Sequence, residues 1–290
     1  RGMVGRHDRV RVHHPAVHDP LPQFGDRQAC AHARQIGREV RRPVIACLAR
    51  CHRADLEKAA WSIETAERGR IHTFIATSDL HLKAKLRMSR EQCLAAAVDA
   101  VRFARQHTDD VQFSAEDATR SDFDFLCRVV EAVIEAGGTT INLPDTVGYS
   151  TPDEIREFFQ RIRERVPNAD KAVFSAHCHD DLGLAVANSL SAVQGGARQV
   201  ECTVNGIGER AGNAAMEEIV MATRVRADRL PLETGVDTRR LVRHIRDAIA
   251  RIESYLDGVT EEAFLGTPIV QDAVIRQIQI IPARFGMSQN

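Results

Sequence analysis

The feature that most constrains this chain is an alternation that starts near residue 43. Short apolar runs at 43–48, 71–76, 111–114, 139–143, 172–176 and 199–204 take turns with longer amphipathic stretches. Short runs fit strands, and stretches with apolar residues at helical spacing fit helices. Two helix starts carry explicit signals. Ser89-Arg90-Glu91-Gln92 and Thr151-Pro152-Asp153-Glu154 both read as capping boxes. Pro152 stands where a helix needs no N–H. Behind it Ile155, Phe158, Phe159, Ile162 and Val166 give one apolar face, which is read as core. Strand–helix alternation implies right-handed βαβ units and a parallel sheet. The repeat is roughly thirty residues, the size expected when about 250 residues are divided over the eight units of a (β/α)8 barrel. Only six such units are recognisable, between residues 43 and 236, so the expected fold is an incomplete TIM (β/α)8-type barrel lacking its first two units.

The ends of the chain differ from this body. Residues 1–35 hold His7, His13, His14, His18 and His32, many arginines and little apolar periodicity. Val10, Val12 and Val17 suit an edge strand, but Pro15, Pro20 and Pro22 break the stretch around and beyond it. The five histidines lack the fixed spacing of a metal site. A helix is expected over 33–40. From Leu241 the pattern turns helical: Leu241, Ile245, Ile249, Ile252 and Leu256 share a face, and a second run after Asp257-Gly258 carries Val270, Val274, Ile275, Ile278 and Ile281. The expected organisation is therefore an atypical segment over 1–35, a partial barrel over 36–238 and a helical hairpin over 239–290.

Composition narrows the partners. The formal net charge of the 290 residues is -1, which favours neither nucleic acid nor an anionic membrane. No apolar run approaches the roughly 18 residues of a membrane span, and no signal-peptide core develops. Seven cysteines at irregular spacing fit reduced thiols in a cytoplasmic protein better than a disulfide framework. Cys47, Cys51 and His52 lack the second pair that a zinc cluster requires.

The sharpest local signal is His177-Cys178-His179-Asp180-Asp181 at the end of the fifth run. Residues i and i+2 of a strand point to one face, so His177 and His179 can offer two imidazoles to one ion while Cys178 turns away. The C-terminal end of a barrel strand is where active sites lie. A hydrogen-bonded polar layer is the plainer alternative. After the sixth run, 205–213 reads NGIGERAGN, whose glycines let backbone approach a ligand. Its spacing is neither the Walker nor the Rossmann pattern. Glu209 and Arg210 place charge there, and Asn213 can supply an amide oxygen. Ser114-Ala115-Glu116-Asp117 and Pro144-Asp145-Thr146 add polar groups at two further strand ends, as helix caps or as catalytic groups.

Five segments together resemble 2-isopropylmalate synthase: RIHTFIATSDLHLKAKL (70–86), FSAEDATRSDFDFL (113–126), TTINLPDTVGY (139–149), HCHDDLGLAVANSLSAVQGGARQVE (177–201) and NGIGERAGN (205–213). The resemblance runs from about residue 34 to about 238, and homocitrate and citramalate synthases are the family's relatives. It implies a metal-dependent barrel that condenses acetyl-CoA with 2-oxoisovalerate in leucine biosynthesis, as a homodimer. It implies His177, His179 and Asn213 as metal ligands, and His72, Ser114 and Thr146 along the keto-acid pocket. It implies Glu116 as a catalytic group at that pocket and Glu209 as another near the reacting groups. The expected cofactor is Mn2+ or Mg2+, while two imidazoles also suit Zn2+.

The departures from the family are equally specific. Its opening strand carries Asp-Thr-Thr-Leu-Arg-Asp-Gly-Glu-Gln, which supplies an aspartate ligand and an arginine beside the substrate. Nothing in residues 1–42 matches it. A frameshifted or misjoined N-terminal segment would account for that. The family's later histidine-bearing Gly-Ile-His-Gln-Asp-Gly stretch and its leucine-sensing domain are not matched either. Residues 243–281 instead resemble the N-terminal helices of HepT-like toxin ribonucleases, without that family's catalytic motif, so a helical interaction module is expected there rather than a ribonuclease. The two overall readings are a synthase-type acyltransferase with an impaired site and an inactive remnant.

Overall fold

The computed structural model describes residues 9–13, 27–239, 246, 250 and 252–266. The chain divides into two compact units, 1–235 and 236–290.

In the first unit, strands and helices succeed each other as the alternation requires. They are β1 (Arg9–His13), α1 (Arg27–Glu39), β2 (Ile45–Arg50), α2 (Arg53–Ile63), β3 (Gly69–Ala76), α3 (Asp79–His81), α4 (Arg90–Arg105), β4 (Asp110–Glu116) and α5 (Phe123–Glu135). There follow β5 (Thr140–Asp145), α6 (Pro152–Arg165), β6 (Val173–Cys178), α7 (Ala185–Gln194), β7 (Gln199–Glu201), α8 (Met216–Val225) and β8 (Glu233–Thr234). Both expected capping boxes are present, at Ser89/Gln92 and Thr151/Glu154. A π-helical turn, Leu82–Leu86, links α3 to α4 and ends on Arg87 at φ 54°.

All strand pairs are parallel, in the order β2-β3-β4-β5-β6-β7-β1-β8. The six central units β2–β7 form a curled, incomplete TIM-type barrel, and among the described residues no ladder joins β2 to β8. The N-terminal strand differs from expectation. It lies not at an edge but between β7 and β8, with Arg11 opposite Gln199 and His13 opposite Glu201. The first run also shifts, from 43–48 to Ile45–Arg50, because pairing with β3 begins at Gly69. The last run is shorter than expected: β7 stops at Glu201, and a 3-10 turn, Val204–Gly206, follows.

The two faces of the sheet bury different chemistry. Ile71, Val111, Phe113, Ile141, Leu143, Phe174, Ala176 and Val200 are buried on the helix side with Phe125, Leu126, Phe159 and Ile162. Arg70, Gln112, Gln199 and Ser175 are buried on the other side and bond one another. Asp110 closes that layer with a bidentate pair to Arg70 at 2.8 and 3.0 Å. A buried arginine is tolerated because its donors are met. The polar floor therefore lies below the C-terminal ends of the strands.

In the second unit, residues 252–256 and Glu261–Gly266 are helical about the turn at Asp257-Gly258. The expected apolar positions Leu241, Ile245, Ile249, Val270, Val274, Ile275, Ile278 and Ile281 lie outside the described residues. So do His7, His14 and His18.

Candidate active site

Strand alternation carries the pattern upward from the floor. On β4, Gln112, Ser114 and Glu116 share the inner face, while Val111, Phe113 and Ala115 are buried on the outer one. On β6 the inner residues are Ser175 and His177, and His179 follows the strand. Cys178 turns away and is 1% exposed. Burial pushes the Cys178 thiol up to about 12, which leaves it an inert core group.

His177 and His179 face each other. Their Nε2 atoms are 3.0 Å apart and the rings stand edge to face. Each Nδ1 is committed elsewhere. His179 Nδ1 lies 2.6 Å from the carbonyl oxygen of Thr146, a group that only accepts, so Nδ1 carries the proton. Arg210 also lies 3.0 Å from that nitrogen, but its donor is better assigned to the same carbonyl at 2.9 Å. His177 Nδ1 donates to Glu201 Oε2 at 2.7 Å. In the neutral rings both Nε2 lone pairs then converge, and only a further proton or a cation can bridge them. Burial, and next the neighbouring His177, lowers the pKa of His179 and favours its neutral form.

The remaining expected residues divide into groups. His72 Nε2 lies 2.6 Å from Ser114 Oγ, which also accepts from Asn142 at 2.9 Å. Glu116 accepts from Lys85 at 2.6 Å, with His81 Nδ1 at 3.6 Å. Thr146 uses its hydroxyl to receive the Asp117 backbone N–H at 2.9 Å, tying the β4 and β5 ends together. Asn213 is bridged to His179, and its buried Oδ1 has no hydrogen-bond partner. A Cβ on Gly208 would collide with that amide oxygen, so glycine is required there. Glu209 stands apart: its side chain is 70% exposed, with Arg210 at 3.5 Å.

Three groups that the sequence reading did not single out as site residues prove central. Glu201 is 3% exposed and accepts from His177, Asn142 and, through a short contact, Gln112. Arg210 and Asp181 form a two-bond pair at 2.7 Å, which holds the Asp181 carboxyl below its ordinary range and braces the 205–213 loop against the strand after β6. The available signal was polar residues two apart, Gln199 and Glu201, flanking Val200 in a short strand.

The donor set can be tested against a divalent ion. Two nitrogens about 2.1 Å from one ion and about 90° apart at it would stand roughly 3 Å from each other, which matches the observed Nε2 separation. The orphaned Asn213 Oδ1 is a third donor of the right kind. Among the described residues there is no group of three or more His, Cys, Asp or Glu placed to hold an ion. The residues present fit a metal as a neutral, incomplete set.

Residues 17–249 match the HMGL-like family. The chain belongs to that family. Over 236 residues, 81% of its length, it is 54% identical to 2-isopropylmalate synthase from Rhodopseudomonas palustris. Over 224 residues it is 59% identical to the enzyme of that name from Carboxydothermus hydrogenoformans. It spans only 44% and 43% of those two proteins. In fold it is similar to a hydroxymethylglutaryl-CoA lyase from Pseudomonas aeruginosa, with a TM-score of 0.64, 19% identity, and coverage of 93% of this chain and 98% of that one. The HMGL-like match covers β2–β8 and the whole constellation from His72 to Asn213.

Proposed function

We propose that this chain carries the catalytic barrel of a 2-isopropylmalate synthase-type acyltransferase whose condensation chemistry is impaired. The observation that carries the reading is the convergence of His177 Nε2 and His179 Nε2 at the C-terminal strand ends, beside an unpartnered Asn213 oxygen. His177, His179 and Asn213 would hold a divalent ion, Mn2+ or Mg2+. The chemistry it supplies when bound is polarisation of the 2-oxo carbonyl of a keto acid.

The chain's own residues do the rest. His72 and Ser114 hydrogen-bond to each other and present a hydroxyl and a ring nitrogen to the keto acid, taken to be 2-oxoisovalerate. Thr146 fixes the β5 end beside them. Glu116 is the base that removes a methyl proton from acetyl-CoA, and Lys85 keeps its carboxylate ionised until substrate arrives. Attack of the resulting enolate forms the carbon–carbon bond, and water then cleaves the thioester to release CoA. Glu209, in the 205–213 loop, faces the incoming thioester.

Impairment follows from charge. Two imidazoles and an amide are neutral, and a carboxylate supplies most of the attraction for a hard divalent ion. The family's opening aspartate and arginine have no counterpart in residues 1–42. Calorimetry with Mn2+ tests the reading. Binding weaker than micromolar that disappears in His177→Ala is expected. No binding at all removes the metal reading, and micromolar or tighter binding removes the impairment.

A further inference from the structure

The geometry points to Glu201 as the positioning residue that decides which nitrogen of His177 is offered to a divalent ion. The inference rests on the metal reading above and assigns a role to a side chain outside the proposed ligand set.

An imidazole has two nitrogens, and a neutral ring places its proton on either. A ring meant to ligate through Nε2 has to keep its proton on Nδ1, which takes an acceptor fixed on the far side. For His179 that acceptor is a backbone carbonyl, held by the β5 turn itself. For His177 it is a side chain. Glu201 Oε2 stands 2.7 Å from Nδ1, and Glu201 is His177's register partner on the adjacent strand. Backbone pairing therefore sets the distance between the two residues.

The carboxylate is itself held as an acceptor. Gln112 Nε2 donates to Oε1, and Asn142 Nδ2 donates to Oε2 at 3.4 Å. These amides are fixed in turn. Gln112 Oε1 receives Arg70 at 2.8 Å and Gln199 at 2.9 Å, and Asn142 also donates to Ser114. The chain of contacts runs from the buried Arg70 through Gln112 to Glu201 and then to His177. A simple polar filler would not need two oxygens that both accept. A glutamine at 201 has one oxygen and one NH2, so it cannot accept from Gln112, Asn142 and His177 in these positions. Its NH2 would turn toward one donor, and the His177 proton would no longer be fixed on Nδ1.

The test uses the full chain without added metal. Long-range 1H–15N NMR at about pH 8, above the ordinary imidazole range, reads the tautomer of each ring, with His177→Gln assigning the signal. The parent should show His177 protonated at Nδ1 and bare at Nε2. Glu201→Gln should show a mixed or inverted tautomer for His177, with His179 unchanged. Calorimetry of Mn2+ binding on separate samples should give about 10–100-fold weaker affinity for Glu201→Gln. A parent His177 protonated at Nε2 overturns the inference even if the variant fails to fold. So does a folded Glu201→Gln with the parent's tautomer and affinity. If the parent has the stated tautomer but no Mn2+ binding, the metal reading alone fails.

Discussion

β1 and the block β2–β7 occupy one continuous parallel sheet, yet they carry different information. Each strand from β3 to β6 ends in residues with chemical work: Glu116 after Ser114, Thr146 after β5, His177 and His179 around the end of β6. β1 lies fully inside the ladder, between β7 and β8, but its sequence Arg-Val-Arg-Val-His contains none of the family's opening motif. The difference teaches how unequal two demands are. A slot in a parallel sheet asks for extended backbone with available N–H and C=O groups, and many sequences supply that. A metal and substrate site asks for particular atoms at particular register positions. Filling the slot restores hydrogen bonds without restoring chemistry.

The largest effect should come from the block itself. Phe113 is fully buried on the helix side of β4. Phe113→Ala should cost about 3–5 kcal/mol in urea unfolding, the range for large-to-small core changes. Val12→Pro removes one ladder N–H from β1 and should cost less, about 1–3 kcal/mol. If the proline proves the more damaging of the two, β1 holds the unit together more than the comparison allows. Gly208→Ala should leave stability nearly unchanged and displace the Asn213 amide, weakening Mn2+ binding about tenfold, ~1.4 kcal/mol. Unchanged affinity would remove Asn213 from the ligand set.

The smallest effect is electrostatic. Burial pushes the Asp117 carboxyl up, but hydrogen bonds from Arg120 at 2.7 Å and Ser78 at 2.5 Å outweigh it and hold its pKa below 3.8. A lowered folded-state carboxyl stabilises the fold above 3.8 and loses that contribution as pH falls through its folded value. The Tm gap between parent and Asp117→Asn should therefore close as pH drops below about 4. A gap that stays constant would show that the pair contributes through packing alone.

Much of this was legible in the residues. The period-2 spacing of His177 and His179 placed both rings on one face, and Ser89 and Thr151 announced their helices. The 205–213 glycines marked a loop that closes on Asn213. The hidden part depended on register. Glu201 reads as one more polar residue in a short strand until β7 sets it opposite His177. Arg70 reads as an exposed charge until Asp110, Gln112 and Gln199 surround it. The inner position of β1 was hidden for a related reason: prolines at 15, 20 and 22 suggested an edge, but they come after the strand and leave its own N–H groups free to pair.

The central claim is that β2–β7 hold the scaffold and part of the metal set, while the charge needed for condensation is missing. A free-thiol assay for CoA release tests it most directly, with the purified 290-residue chain, Mn2+ or Mg2+, acetyl-CoA and 2-oxoisovalerate. Misalignment of about 1 Å can cost about a hundredfold. Release is therefore predicted to run at least about a hundredfold below typical enzyme turnover of about 1–10 per second. Turnover within that range, lost in His179→Ala, would contradict the claim and show that residues 1–42 or a partner chain supply the missing ligand.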